Sequence, residues 1–374
     1  MKQPKLRFNA DDGTKFPDWK EKRLNDVCEY NKGQSVGINY VGTENMKQDF
    51  SGVNDLDSEN KVKGVTYNIG DTLMSNIRPY LKKTWKADIK GVCSTDVLVF
   101  HPTNINSDYL YRNISSEKFI SYVMTAAKGS KMPRGDKEHI MNYDIQVPCL
   151  PEQQKIASLF AEIDTLIQSA EKELEGYREL KQGMLQKMFP KTGETVPEIR
   201  FPEFTGDWEE HELSEMFNYE QPSKYIVKNN DYEGCSKYPV LTANKGFILG
   251  YTDETEGIYD KGEVIIFDDF TCDHKFVNFP FKVKSSAIKF LTPKVNYNLS
   301  FLSELLNVMN QQPLSHQRHW ISVMQPSIAL TPSLEEQKKI GEYFSNLDNL
   351  IAFQQKEIDG YKELKKGLLQ QMFC

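Results

Sequence analysis

Leu150 to Pro190 reads LPEQQKIASLFAEIDTLIQSAEKELEGYRELKQGMLQKMFP, and Leu334 to Cys374 reads LEEQKKIGEYFSNLDNLIAFQQKEIDGYKELKKGLLQQMFC. Aligned at a constant offset of 184 and without gaps, the two stretches are identical at 21 of 41 positions. Such agreement marks an internal repeat, and the organisation of the chain has to be built outward from it.

Both copies place apolar residues at alternating steps of four and three, which is the spacing of a heptad seam. Glu, Lys and Gln flank the seam, so the pattern favours two long helices that pack on each other over two separate amphipathic helices. The seam positions are Ile156, Phe160, Ile163, Ile167, Leu174 and Tyr177 in the first copy, and Ile340, Phe344, Leu347, Ile351, Ile358 and Tyr361 in the second.

The chain before each helix is also repeated, although more loosely. Leu6-Arg7-Phe8 recurs as Ile199-Arg200-Phe201, and Asp18-Trp19 recurs as Asp207-Trp208. We therefore predict four parts: a globular region at 1–149, a helix at 150–190, a second globular region at 191–333 and a second helix at 334–374.

Each globular region mixes short strands with one helix, which predicts an α+β fold of two similar mixed α/β domains. Runs rich in β-branched and aromatic residues predict strands at 65–67, 72–74, 96–100, 263–267 and 287–291. Helical patterns predict one helix at about 108–127, ended by Gly129, and another at about 299–310.

Connectivity restricts how the long helices pair. A helix from Glu152 to Phe189 would be ~57 Å long, at about 1.5 Å per residue. A compact domain usually leaves its termini close together, so the second helix should start where the first one ends and run back along it. This predicts an antiparallel coiled coil with pseudo-twofold symmetry and one globular region at each end.

Composition sets broad limits. The net charge is −7, yet residues 1–150 carry 22 basic and 19 acidic side chains, whereas residues 191–334 carry 13 and 20. Total charge therefore neither supports nor excludes DNA binding, which depends on a local basic face. Six scattered cysteines, no apolar run of membrane length and no hydrophobic leader indicate a reduced, cytoplasmic setting without disulfides.

The tandem layout and two short motifs resemble the specificity subunit of type I restriction–modification systems. The motifs are EQ-x-K-I at each helix start, at 152–156 and 336–340, and L-K-x-G followed by an apolar residue, Leu and Gln near each helix end. The resemblance covers the whole chain and implies two target-recognition domains that read double-stranded DNA as a bipartite, gapped and asymmetric site. It also implies helices that bind two modification subunits and, through them, restriction and translocase subunits.

The resemblance further implies that the chemistry resides on partners: S-adenosylmethionine with adenine-N6 methylation on the modification subunits, and ATP on the translocase. The sequence agrees, because it contains no Asn- or Asp-Pro-Pro-aromatic loop, no GxGxxG and no P-loop. Asp18 with Lys20 is weak evidence for a nuclease, and Cys272 with His274 lacks the spacing of a metal site. We expect no catalytic residue, metal or cofactor in this chain.

Basic stretches next to aromatic or Gly-Pro positions are the candidate DNA contacts. In the first region they are Arg78, Lys82, Lys83 and Lys86, followed by the loop residues Lys128, Lys131 and Arg134. The offset of 184 pairs Arg134 with Arg318, and the second region adds Asn244, Lys245, His274, Lys275, Arg318 and His319. A charged hairpin edge, a helix cap or plain surface would explain the same residues.

Two functions of other classes stay open from the sequence. An autonomous regulator of a split operator would bind DNA tightly without partners. A coiled-coil scaffold for proteins would show no salt-dependent retention on DNA.

Overall fold

The computed structural model describes residues 4–228, 237–244, 246–313 and 318–373. It divides into two compact units, Met1–Ser169 with Ile358–Cys374 as unit 1 and Ala170–Glu357 as unit 2. Each unit therefore combines one globular region with a segment of each long helix. Among the described residues, no helix has the length and apolar character needed to cross a membrane.

Among its described residues, unit 1 contains nine strands and three short α-helices besides its shares of the long helices. The strands are β1 (Lys20–Arg23), β2 (Cys28–Tyr30), β3 (Gln34–Gly37), β4 (Val62–Tyr67), β5 (Thr72–Ser75), β6 (Thr84–Lys86), β7 (Gly91–Cys93), β8 (Val97–Pro102) and β9 (Asp144–Val147). The helices are α1 (Ser107–Ile114), α2 (Glu117–Thr125) and α3 (Lys137–Met141), and helix α4 (Leu150–Met188) continues into unit 2.

Unit 2 repeats this plan with changes. Its strands are β10 (Glu209–Glu212), β11 (Phe217–Glu220), β12 (Tyr238–Leu241), β13 (Ile248–Thr252), β14 (Val264–Asp268), β15 (His274–Val277), β16 (Lys282–Val283), β17 (Ile288–Pro293) and β18 (Ile328–Thr331). Its helices are α5 (Leu213–Met216) and α6 (Leu299–Met309), and helix α7 (Leu334–Met372) continues into unit 1.

Two of the three sheets have the same topology in both units. The four-stranded sheets, with orders β2-β8-β5-β6 and β11-β17-β14-β15, are antiparallel throughout, and a two-stranded sheet joins β1 to β9 or β10 to β18. The third sheets differ, because β3-β4-β7 is all antiparallel whereas β12 pairs with β16 in parallel. The predicted strands correspond to β4, β5, β8, β14 and β17 and are confirmed.

The helix predicted at about 108–127 is wrong in one respect, because two helices occupy it. Helix α1 ends at Ile114, and α2 begins at Glu117 with the Ser116 hydroxyl accepting a hydrogen bond from the Phe119 amide at 3.2 Å. A serine is a strong N-cap because its oxygen satisfies an amide left free at the start of a helix. The Ser115-Ser116 pair therefore starts a new helix, while α6 matches its prediction.

The predicted seam is buried within each unit. In unit 1, Ile156, Phe160, Ile163 and Ile167 form a core with Trp19, Tyr109 and Met372. In unit 2, Ile340, Phe344 and Leu347 pack with Phe189, Trp208 and Phe301. Leu174 and Ile358 are buried too, whereas Tyr177, Ile351 and Tyr361 are half-buried. We call each globular region a head, and α1 and α6 the head helices. The seam thus packs against the head helix of its unit as well as against the other long helix.

The two long helices run antiparallel inside each unit. In unit 1, Phe160 contacts Phe373 and Asp164 pairs with Lys365, so the numbers rise along one helix as they fall along the other. In unit 2, Phe189 contacts Phe344 and Lys181 pairs with Asp348, which are the same contacts shifted by 184. The antiparallel pairing is therefore confirmed within each unit, and equivalent contacts hold it in both.

A second equivalence ties each head to the start of its long helix. Glu152 is buried, and its two oxygens accept hydrogen bonds from Arg7 at 3.0 and 2.8 Å, as Glu336 does from Arg200 at 2.7 Å for both. The neighbouring Gln153 accepts from the Asn106 amide at 2.8 Å and donates to the Pro148 carbonyl at 2.8 Å. Gln337 makes the same two bonds in unit 2, to Asn298 and Pro332.

These bonds explain the Glu-Gln pair of the repeated motif. A charge-assisted bidentate Arg–carboxylate pair fixes both distance and orientation. A glutamine that bonds the N-cap residue of the head helix adds a second fixed point. The motif therefore holds each head in one orientation on its helix, a role that the sequence pattern did not reveal.

Candidate nucleic-acid interface

The two basic stretches predicted separately in the first head lie side by side. The Arg78 amide donates to the Pro133 carbonyl at 2.7 Å, and the Gly135 amide donates to the Asn76 carbonyl at 3.2 Å. The turn between β5 and β6 is thereby joined to the segment between α2 and α3. Lys128 and Arg134 close that segment with two backbone hydrogen bonds of 2.9 Å each. We call the two joined segments, residues 76–83 and 128–136, the unit 1 interface.

Close packing requires a glycine at the junction of these segments. A Cβ atom on Gly135 would lie 2.8 Å from Asn76 Oδ1 and 2.9 Å from Ile140 Cδ1. Since real Cβ atoms do not approach other atoms so closely, a larger residue would force the Asn76 and Ile140 side chains to move. Gly135 and Asn76 are therefore supporting residues that sequence reasoning missed, because the glycine faces a strand distant in sequence.

The turn of the unit 1 interface carries two non-glycine residues in the left-handed region. Arg78 has φ +49° and Lys82 has φ +54°, and they flank the short 3-10 helix Pro79–Leu81. Such a conformation costs about 1–3 kcal/mol for a residue with a Cβ atom, and it concentrates at functional sites. Neighbouring backbone bonds hold it, since Asp49 and Phe50 donate to the carbonyls of Leu81 and Lys82.

Most of the predicted cations here have a protein partner. Lys82 pairs with Glu117 at 2.6 Å, which raises the pKa of its ammonium, and Lys83 donates to the Thr43 carbonyl at 2.6 Å. The remaining pairs are Lys86 with Asp108, Lys128 with Asp136 at 3.0 Å, and Arg134 with Asp96 at 3.0 Å. Within the described part of the chain, Arg78 and Lys131 have no side-chain partner.

The loop side of the interface is concave. An open cavity of about 610 Å³ is lined by Lys128, Arg134, Gly135, Asp136, Lys137 and Glu138. The Asp136 carboxylate is occupied, because it caps α3 by accepting from the Glu138 and His139 amides. The His139 amide and Lys128 lower the pKa of Asp136, so it stays ionised. Because that carboxylate is engaged, the cationic side chains of Lys128, Arg134 and Lys137 give the cavity a lining that suits the phosphate backbone of a nucleic acid.

The second head builds the same junction with different residues. The His319 amide donates to the Asp269 carbonyl at 2.9 Å, as Gly135 does to Asn76, and Arg318 precedes His319 as Arg134 precedes Gly135. The pairing of Arg134 with Arg318 at the offset of 184 therefore has a structural equivalent. The Asp269 carboxylate also accepts from the Trp320 amide at 2.8 Å.

A buried lysine supports this junction. Lys289 Nζ lies 3.5 Å from the Asp269 carboxylate and donates to Gln221 at 3.2 Å and to the Ser286 carbonyl at 2.5 Å. Burial lowers the pKa of Lys289, and the facing Asp269 opposes that effect. Leu98 occupies the equivalent strand position in unit 1, since Leu98 pairs with Met74 where Lys289 pairs with Phe267.

The structure corrects one candidate and weakens another in the second head. His319 is fully buried and its ring bonds the Asp269 carbonyl, so it supports Arg318 and presents no side chain to DNA. The ring of His274 bonds the Ser303 carbonyl at 3.2 Å, and burial lowers its pKa. A half-buried neutral ring is a poor phosphate ligand.

The other candidates in the second head differ in exposure, and Asn244 is half-buried. Asn244 bonds the Thr271 hydroxyl at 3.1 Å, which joins the tip of the β12–β13 hairpin to the turn after β14. Lys275 and Arg318 are exposed. Lys245 lies outside the described residues. Asn244 and Arg318 therefore border one surface on which the exposed Phe270 also lies.

Two features bear on metal binding and nucleophilic chemistry: the grouping of possible metal ligands and the Cys272 thiol. Among the described residues, no three His, Cys, Asp or Glu side chains are placed to hold a metal ion. Burial raises the pKa of the Cys272 thiol to about 11, so it is no activated nucleophile.

Comparison with known proteins agrees with this arrangement. The family model described as "Type I restriction modification DNA specificity domain" matches twice, at residues 17–176 and 205–361. A stretch of 117 residues is 50% identical to the specificity subunit of the type I restriction enzyme EcoR124I/EcoR124II from Escherichia coli, covering 29% of each chain. The specificity subunit of MjaVIII from Methanocaldococcus jannaschii is 25% identical over 97% of this chain and 94% of its own.

Solved structures show the same fold. The S subunit of a type I restriction–modification system from M. genitalium superposes with a TM-score of 0.68 at 14% identity, over 100% of this chain and 99% of that one. A chain from a structure of a type I restriction–modification assembly gives 0.53 at 19% identity, over 96% and 98%. The double family match covers most of the sequence. This chain therefore belongs to the type I restriction–modification specificity family, and its role is recognition of DNA sequence.

Proposed function

We propose that this chain is the non-catalytic subunit that reads a bipartite, gapped and asymmetric DNA target and positions two adenine-N6 methyltransferase subunits on it. Restriction and translocase subunits would join through those partners. The observation that carries the proposal is the twofold family match together with two structurally equivalent arginine loops, Arg134 in unit 1 and Arg318 in unit 2.

The asymmetry of the target follows from the differences between the heads. The turn in unit 1 is longer and carries Arg78, whereas the turn in unit 2 carries Phe270 and is tied down by Asp269 and Lys289. Two surfaces with different side chains read different bases, since hydrogen-bond patterns in the major groove distinguish all four base pairs. We therefore expect two unlike half-sites.

Exposed leucines on the long helices support docking of two copies of one partner. Unit 1 exposes Leu166 and Leu364 at 48% and 52% of their surface, and unit 2 exposes Leu350 and Leu180 at 43% and 45%. These are equivalent positions of the repeat, so each unit presents the same pair. Large apolar side chains exposed twice in one pattern suit a partner present twice.

The catalytic chemistry would reside on the partners. S-adenosylmethionine on the modification subunits would supply the methyl group, and ATP on the translocase subunits would drive restriction. This chain would contribute binding energy and orientation only.

The decisive experiment is a base-modification map of DNA from cells that express this chain with its neighbouring modification subunit. Cells without this chain serve as the control. The proposal expects N6-methyladenine in one gapped, asymmetric motif, present only when the chain is present.

Absence of such a motif, with an active modification subunit, would overturn the proposal. Tight and salt-dependent DNA binding by the chain alone would then favour the split-operator regulator. No DNA retention at any salt concentration would favour the protein scaffold.

A further inference from the structure

Seven predicted cations lie in the unit 1 interface or, for Lys86, on the adjacent strand β6, and the structure divides them by what they contact. Five donate to a carboxylate or carbonyl of the protein: Lys82, Lys83, Lys86, Lys128 and Arg134. A cation that must leave an internal partner to reach DNA gains less from binding. Of the two that remain, Arg78 is a guanidinium and Lys131 an ammonium.

Arg78 is also the more rigidly placed of these two. Its amide is bonded to Pro133 at 2.7 Å, and its carbonyl accepts from the Leu81 amide at 2.9 Å. Both bonds hold the residue at φ +49°, a conformation that glycine would adopt without steric cost. An arginine kept at such a position projects its side chain from a backbone that cannot relax, which reduces the entropy lost on binding.

The two cations differ in what they recognise. A guanidinium presents a planar fork of donors that matches O6 and N7 of guanine in the major groove, whereas an ammonium acts as a point charge toward phosphate. We propose that Arg78 reads a guanine in one half-site and that the paired cations around it orient the head on the phosphate backbone. This inference rests on the proposed function, because it assigns a base to one of the two heads.

The equivalent turn of the second head, between β14 and β15, is described in full and contains no arginine. It runs Asp269-Phe270-Thr271-Cys272, and the Phe270 and Thr271 amides both donate to the Asp268 carboxylate. An exposed phenylalanine offers apolar contact, such as that with a thymine methyl group, and no bidentate donor pair. Arg78 should therefore affect one half-site only.

Arg78→Gly is the most informative variant, because it removes the guanidinium and relieves the strained φ. We expect its thermal stability to equal or exceed that of the wild type. In the base-modification map, one G·C pair of one half-site should become degenerate, losing about tenfold to a hundredfold preference. The other half-site and the gap length should stay unchanged.

Two further variants keep the test sharp. Asn39→Gly is the matched control, since Asn39 also has positive φ (+53°) in unit 1 but bonds Asp57 and Lys90 away from the interface. Its motif should equal that of the wild type. Arg78→Lys keeps the charge. We expect this variant to direct methylation to a motif that is degenerate at the same base pair.

Three results would overturn the inference. An unchanged motif in Arg78→Gly would show that Arg78 reads no base. An intact motif in Arg78→Lys, with methylation lost in Arg78→Gly, would reduce Arg78 to a phosphate contact. A wild-type chain that directs no methylation would overturn the proposed function itself, whereas the first two results leave that function standing.

Discussion

In each unit, an Asp–Lys ion pair between the long helices also contacts a charged side chain of the head. The two Asp–Lys pairs are equivalent in the repeat, but the head side chains have opposite charge. In unit 1, Asp164 pairs with Lys365 at 2.6 Å and with Arg112 of the head at 2.5 Å. In unit 2, Lys181 pairs with Asp348 at 2.6 Å and with Glu304 of the head at 3.0 Å. Arg112 and Glu304 occupy equivalent positions, six residues after the N-caps Asn106 and Asn298.

This difference shows how the repeat tolerates two different heads. A helix pair that offers both a carboxylate and an ammonium compensates either sign of charge on the head helix. The apolar contacts meanwhile stay the same, since Tyr109 stacks on Phe373 as Phe301 stacks on Phe189, both at 5.4 Å. The apolar contacts therefore hold the head helix in the same position in both units. The Asp–Lys pair provides a partner of opposite charge for either head side chain.

The largest effect should come from the shared apolar contacts. Phe160 and Phe344 are fully buried at equivalent positions, and each touches the phenylalanine that directly follows the other long helix. Phe160→Ala and Phe344→Ala should each lower the free energy of unfolding by about 3–5 kcal/mol, through lost burial and an unfilled cavity. Urea denaturation measures both. Costs that differ by more than about 2 kcal/mol would break the equivalence of the units.

The next largest effect concerns the charged pair. Asp164→Asn would leave Arg112 and Lys365 without their carboxylate, at a cost of roughly 3 kcal/mol for a mostly buried group. Arg112→Glu should cost much less, because Lys365 can pair with it as Lys181 pairs with Glu304. Denaturation of the two variants tests this order. The idea of a charge-tolerant pair fails if Arg112→Glu is the more damaging change.

Recognition should respond to each head separately. Arg134→Ala and Arg318→Ala should each reduce methylation at the target by about tenfold, through the half-site of their own head. Loss of Arg134 also frees Asp96, so its effect includes a new uncompensated carboxylate. Methylation rates on targets with one altered half-site would assign each arginine. Unchanged methylation in both variants would remove the two arginines from the interface.

Replacing glycines inside the long helices should change stability by a smaller amount, and should raise it rather than lower it. A Cβ atom on Gly183 or Gly367 would meet no atom within 4 Å, and the two are equivalent in the repeat. Gly183→Ala and Gly367→Ala should each stabilise the free chain by about 1 kcal/mol, because alanine loses less backbone entropy in a helix. Thermal unfolding of the single and double variants measures this. A loss of stability would reveal a contact that the free chain does not make.

The smallest effect is a pH dependence confined to unit 2. Burial raises the pKa of Glu304 above its ordinary value, while Lys181 opposes the shift less strongly. The folded state then binds this proton more tightly than the unfolded state. The associated stability is present at low pH and is lost as the pH rises through the folded pKa.

Glu304→Gln should remove this dependence. As the pH rises above the ordinary pKa of a glutamate, ~4.3, the wild type should lose stability relative to the variant. Arg112→Gln changes the equivalent residue of unit 1, so it serves as the control and should show a constant difference from the wild type. A constant difference for Glu304→Gln as well would mean that Glu304 does not titrate with a raised pKa.

Sequence reasoning identified the long helices because helical periodicity is a local property. Heptad spacing and a repeat of 41 positions specify which residues face inward wherever the helix packs, and the seam from Ile156 to Ile167 is buried accordingly. The break at Ser115-Ser116 escaped detection, because the apolar pattern continues across it. The arrangement with one globular region at each end stays a prediction.

The candidate interface was harder to predict. The predicted cations lie largely at the surface, as a DNA contact requires. His319, predicted as a contact as well, is buried. Its burial depends on Asp269, fifty residues away, and no local pattern signals that contact. The Arg78 turn and the Pro133 loop also meet only through bonds between distant segments.

By itself the sequence determined the duplication, the antiparallel helices within each unit and the family, because repeats and periodic burial are written along the chain. The tertiary structure alone decided which cations are engaged in ion pairs and which stay available to a ligand. The physical reason is that a charge selects its partner by distance in space and by exclusion of water. Both quantities are set by packing between segments that the chain keeps far apart.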